Sequence, residues 1–125
     1  MTRDERQSIV AAWIRSTFGE VTCTREERTL RFLEEAIELA QAEGLSLEQV
    51  NRLMIHVYNK PRGVAEQEVG GVGITLLAYC ECIGISADAA ELLEWERVSA
   101  IDAEYFRRRH NKKADVGIAV RVSER

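Results

Sequence analysis

Apolar residues recur along most of this chain at three- and four-residue intervals, the spacing of helices with one buried face. Ile9, Trp13 and Ile14 place a first helix at about Thr2 to Phe18, with Gly19 as its stop. A second helix is expected from about Thr24 to Glu43, opened by a Thr24–Glu27 capping box and closed by Gly44. Its stripe of Leu30, Leu33, Ile37 and Ala40 requires a partner helix. Ser46 with Gln49 forms another capping box and starts a third helix that runs to about Tyr58. The predicted buried side of that helix is Leu47, Val50, Leu53, Met54 and Val57. The only proline, Pro61, marks the loop Asn59 to Gly63. A fourth helix spans about Val64 to Ile83, with Gly84 ending it. Gly70, Gly71 and Gly73 lie inside it, each costing roughly 1 kcal/mol relative to alanine. Close approach of another helix is the expected compensation. Ser86 opens a last helix that reaches about Arg109, with Ala89, Leu92, Leu93, Trp95, Val98, Ile101 and Phe106 at its apolar positions. The segment Gly117 to Val122 alternates only weakly and is expected to be a loose tail. The predicted fold is all-α, a bundle of about four to five helices over residues 1–110, followed by a basic tail over 111–125.

With 125 residues, 46% hydrophobic and 30% charged, the chain has the composition of one globular domain. That many apolar helix faces are hard to cover within a chain this short, so a homodimer or a dimer of dimers is expected. The net charge of −4 is unevenly spread. Residues 1–104 carry 10 Lys/Arg against 19 Asp/Glu, and residues 105–125 carry 7 against 2. An acidic body with a basic end suits a metal at one place and phosphate at another. It argues against a nucleic-acid binder, which would need the basic tail to dominate.

Cys80 and Cys82 lack a second cysteine pair or a nearby histidine, so they do not form a zinc pattern, and Cys23 stands alone. Reduced thiols in a cytoplasmic protein are the expectation. The opening residues lead into no signal-peptide apolar run. The longest apolar stretch, Val69 to Cys80, is too short and too glycine-rich to span a membrane.

The second helix carries Glu34, Glu35 and Glu38. Helical spacing sets Glu35 and Glu38 side by side, with Glu34 at the edge of the same patch. Glu68, on the fourth helix, joins them if the two helices pack together. Clustered carboxylates repel each other unless a hard divalent cation neutralises them, and oxygen donors of this kind suit Mg²⁺ (Mn²⁺ being a second candidate).

The stretch Arg31-Phe32-Leu33-Glu34-Glu35-Ala36-Ile37-Glu38-Leu39 resembles the first signature helix of the MazG-like, all-α nucleoside triphosphate pyrophosphohydrolases, which carry an EExxE motif and, one helix later, ExxD. Gln67-Glu68-Val69-Gly70-Gly71-Val72 with Thr75-Leu76 resembles a short bacterial and phage subgroup of that family. The resemblance covers roughly residues 8–115. It implies hydrolysis of a nucleoside or deoxynucleoside triphosphate between the α and β phosphates, giving the monophosphate and pyrophosphate. It implies that Glu35, Glu38 and Glu68 are Mg²⁺ ligands, and that Glu34 is an outer ligand or a base that orients water. The family's final aspartate falls on Gly71, which has no ligand atom. Fewer protein ligands with more water, a substitute such as Glu66 or Glu94, and loss of catalysis all fit that departure. A bundle that binds a nucleotide or a protein without hydrolysing it is therefore the alternative function.

Phosphoryl transfer requires charge neutralisation and positioning more than covalent help. Arg109, Lys112 and Lys113, at the basic end, are candidates for binding the triphosphate. Lys60 and Arg62, in the loop before the Glu68 helix, are further candidates. Trp13 is a core residue or a platform for the base. His56 and His110 have no partner at ligand spacing and are expected to be structural or superficial.

Overall fold

The computed structural model describes residues 1–124 of the chain. All regular structure among the described residues is helical. The elements are α1 (Arg3–Phe18), a short 3-10 turn (Glu20–Thr22), α2 (Arg25–Ala42), α3 (Leu47–Tyr58), α4 (Ala65–Ile83), α5 (Ala87–Ser99) and α6 (Ala103–Asp115).

Local chemistry explains most helix ends. Thr2 caps α1 in a full capping box with Glu5. Ser46 and Gln49 do the same for α3, with bonds of 2.8 and 3.1 Å in the two directions. Gly84 closes α4 at φ 75, a left-handed position that suits glycine. The expected box on α2 is only half formed. Thr24 Oγ1 accepts the Glu27 N–H at 3.2 Å, but the Glu27 carboxylate turns inward and accepts the N–H of Val120 at 2.8 Å. A long-range partner has displaced the local one.

The single last helix expected from 86 to 109 is two. The chain breaks at Ala100–Asp102, where the Asp102 carboxylate caps α6 by accepting the Glu104 N–H at 3.0 Å. The apolar rhythm continues through Ile101 to Phe106 and hides this cap in the sequence. The helix also reaches Asp115, so Lys112 and Lys113, expected in the basic tail, are helical.

The chain divides into two compact units. One joins Met1–Ala36 to the chain from Trp95 onward, and the other is Ile37–Glu94. In the first, α1 packs on α6. Trp13 meets Phe18, Trp95 and Phe106 edge-on, with centroids 5.9, 5.8 and 5.4 Å away. Such T-shaped pairs set positive ring edges on negative ring faces.

The C-terminal segment is not a loose tail. Asn111 is buried and pairs with the backbone of Val122 in both directions, donating to its carbonyl at 2.8 Å and accepting its N–H at 2.9 Å. His110 Nε2 lies 2.6 Å from the Val120 carbonyl, and Arg31 donates to the carbonyl of Ile118. Side chains of α2 and α6 thus satisfy the backbone groups that a neighbouring strand would satisfy in a sheet.

The second unit carries the opposite surprise. The predicted buried side of α3 is largely exposed, with Leu47 at 83% and Leu53, Met54 and Val57 also exposed. Ile37 on α2 is exposed as well, as is Leu33 in the first unit. No single helix among the described residues is long and apolar enough to cross a membrane.

Candidate functional site

The carboxylates of α2 differ in environment. Glu34 is half-buried, and Lys113 Nζ donates to its Oε1 at 2.5 Å. Arg31, one turn earlier on α2, lies 3.8 Å from the other oxygen. Glu35 and Glu38 are exposed, one helical turn apart. Glu66 and Glu68 occupy the first turn of α4, where the helix dipole favours negative charge. Glu68 folds back over the preceding loop, and a Cβ at Gly63 would lie 2.5 Å from its Oε1. Glycine at 63 leaves room for that carboxylate. Lys60 and Arg62 are exposed in the same loop.

No group of three or more Asp, Glu, His or Cys side chains able to hold a metal ion forms among the described residues. Glu35 and Glu38 lie on α2, and Glu68 lies in the first turn of α4. The donor chemistry of Glu35 and Glu38 still fits Mg²⁺, which keeps several waters and is bound through one or two carboxylates plus substrate phosphates.

The basic candidates Arg109, Lys112 and Lys113 come together. With Tyr105 and Val116 they line a pocket of about 410 Å³ on α6. The Arg109 guanidinium stands 5.5 Å over the Tyr105 ring, a cation–π contact that orients it. Lys113 belongs both to this pocket and to the ion pair with Glu34, so the acidic helix and the basic pocket meet at one residue. Trp13 is occupied by its three aromatic neighbours.

Sequence reasoning gave Glu27 only a capping role, and it missed Asn111 and the partners of His110. Glu27 and His110 are both buried, with His110 Nε2 4.0 Å from Glu27 Oε1. Burial lowers the His110 pKa from its ordinary value, while the Val120 carbonyl and Glu27 pull the other way. A neutral ring donating from Nε2 satisfies that carbonyl. The run Arg107 to Lys113 has no apolar pattern, and the partners of His110 and Asn111 lie 10 and 11 residues downstream, so no local signal marks either residue.

Comparison of the chain with protein-family models, curated proteins and solved structures gives no match.

Proposed function

We propose that this chain is a Mg²⁺-dependent pyrophosphohydrolase of the MazG-like kind, cleaving a nucleoside or deoxynucleoside triphosphate to the monophosphate and pyrophosphate, and acting in the cytoplasm as a homo-oligomer. The reading rests on the resemblance of the α2 and α4 motifs to that family. The observation that carries it is the Lys113–Glu34 contact, which sets a lysine of the basic pocket against the EExxE helix. A triphosphate needs cations for its oxygens and a hydrolytic water near the α phosphorus, and the two surfaces divide that work.

In this scheme Arg109, Lys112 and Lys113 bind the phosphate chain, with Lys60 and Arg62 as further contacts. Glu35 and Glu38, with Glu68, would hold Mg²⁺. The ion, when bound, neutralises charge on the phosphate oxygens. Glu34 orients the attacking water, or supports the ligands from outside, once Lys113 turns to the phosphate. The water oxygen attacks the α phosphorus, the bond to the α–β bridging oxygen breaks, and pyrophosphate leaves.

A second reading is favoured by one position. Gly71 stands where the family places an aspartate, so a bundle that binds nucleotide without hydrolysing it also fits the motifs. Pyrophosphate release over a panel of (d)NTPs with Mg²⁺ or Mn²⁺ separates the two. Turnover that Glu38→Gln abolishes, together with Mg²⁺ binding, supports the hydrolase. Unchanged turnover in that variant discards it. A silent wild type that gains turnover in Gly71→Asp supports the binding module.

A further inference from the structure

A nucleoside triphosphate presents two chemistries, an anionic chain and a flat aromatic base. The basic pocket and the glutamates of α2 answer only the first. Trp13, the platform that the sequence suggested for the base, is enclosed by Phe18, Trp95 and Phe106. Phe18 and Phe106 also meet each other, with centroids 6.5 Å apart. Phe32 is 52% exposed, but it stands two positions before Glu34 on α2. A helix turns about 100° per residue, so Phe32 occupies the side of α2 away from the Lys113–Glu34 contact.

Tyr105 is the remaining aromatic residue of the first unit. It is 43% exposed and lines the same pocket as Arg109, Lys112 and Lys113. No carboxylate is among the residues that line that pocket. Tyr105, Arg109, Lys112, Lys113 and Val116 follow one another at three- and four-residue steps, so they form one stripe along α6. Tyr105 and Lys113 are eight residues apart, which is roughly 12 Å along the helix axis. An extended nucleoside triphosphate spans a distance of that order from its base to its terminal phosphate.

The contact between Tyr105 and Arg109 links the two chemistries. The Arg109 guanidinium stands 5.5 Å from the centre of the Tyr105 ring and covers one of its faces. An arriving phosphate competes for that guanidinium. A charge-assisted bond to phosphate is stronger than a cation–π contact at an exposed site, so the phosphate wins. The ring face that Arg109 vacates then lies open beside the bound anion. Stacking of a base on an aromatic ring is also stronger than the exposed cation–π contact it replaces. Both halves of the exchange therefore run downhill.

We propose that Tyr105 is the base-stacking platform of this pocket, with the base over its ring and the phosphate chain running along α6 towards Lys112 and Lys113. The assignment rests on the reading of the pocket as a triphosphate site, and it holds for a hydrolase and for a binding module alike. A ring offers every base the same kind of face, so selection follows stacking strength rather than hydrogen-bond pattern. Purine triphosphates should bind more tightly than pyrimidine ones.

The test compares inorganic tripolyphosphate, which has the charge but no base, with the α,β-methylene analogues of dATP and dTTP, which resist cleavage between those phosphorus atoms. Isothermal titration calorimetry on the full chain with Mg²⁺ reads the dissociation constants. The wild type should bind the dATP analogue at least about fivefold more tightly than tripolyphosphate, with the dTTP analogue between them. Tyr105→Leu should lose that advantage, while Tyr105→Phe, which retains the ring, should keep it. The ratio of the two constants separates loss of the base contact from any change at Arg109. Circular dichroism checks that helix content is preserved. In proton NMR, the Tyr105 ring signals, identified by their loss in Tyr105→Leu, should move upfield with the dATP analogue and not with tripolyphosphate. A wild-type ratio near one, or an unchanged ratio in Tyr105→Leu, overturns the platform and leaves the phosphate site standing. Tripolyphosphate that binds the wild type no better than it binds a triple variant, Arg109→Gln with Lys112→Gln and Lys113→Gln, overturns the triphosphate reading and the platform with it.

Discussion

Replacing Asn111 by alanine tests whether the C-terminal segment is part of the folded unit. The amide is 3% exposed and serves Val122, itself buried, through bonds of 2.8 and 2.9 Å. Truncation leaves the Val122 N–H and C=O without their partner. Each buried group so stranded costs about 1–3 kcal/mol. The third bond, from Nδ2 to Glu124 Oε1 at 3.1 Å, is less buried and adds less. If the strand-like segment detaches instead, it recovers roughly 1–2 kcal/mol of backbone entropy per released residue, which limits the loss. A net destabilisation of about 2–4 kcal/mol is expected, a large share of the 5–15 kcal/mol typical of a small domain. Urea unfolding followed by tryptophan fluorescence measures it, since both tryptophans sit in the aromatic cluster of the same unit. Protein concentration must be fixed, because association adds to apparent stability. Hydrogen exchange at the Val120 and Val122 amides should accelerate in parallel. Asn111→Asp keeps the acceptor but sets a carboxylate oxygen against the Val122 carbonyl, and should be at least as damaging. A loss below about 0.5 kcal/mol in Asn111→Ala, with exchange unchanged, would refute the clasp.

Two further outcomes follow from the same unit. His110 has a folded pKa below its ordinary value near 6.5, chiefly through burial, so it binds fewer protons folded than unfolded as pH falls past that value. Its stabilising contribution is complete above about pH 6.5 and is lost as pH falls through the folded pKa; the groups around it are Glu27, Arg31, Lys113 and the Phe18 ring. The melting temperature should drop between pH 7 and 5, less steeply in His110→Gln, and equal slopes would contradict the assignment. Trp13→Ala removes a half-buried ring with three aromatic neighbours and should cost about 2–4 kcal/mol in the same urea assay, while a change under about 1 kcal/mol would mean that the cluster is not a core.

Much of the helical plan was legible in the chain. The Ser46–Gln49 box, the Gly84 stop and the amphipathic stripes rest on neighbours within four residues, and such short-range chemistry acts in any tertiary context. The α5–α6 break was not legible, because an apolar rhythm ran across a good N-cap at Asp102. For the candidate site, sequence identified the residues but not their relations. Glu34, Arg109, Lys112 and Lys113 were all named as separate candidates, yet the ion pair spanning 79 positions had no local trace.

By itself the sequence determined that the chain is helical, where most helices begin and end, and which faces are apolar. Periodicity and capping are properties of neighbouring residues, and they survive whatever the helices pack against. Only the tertiary structure decided that Glu27 leaves its cap for Val120, that Asn111 fastens the C-terminal segment, and that α3 and α4 keep their apolar faces in solvent. Those outcomes depend on which surfaces are left once the chain has spent its own partners, and pairings between distant residues are invisible to any window a few residues wide.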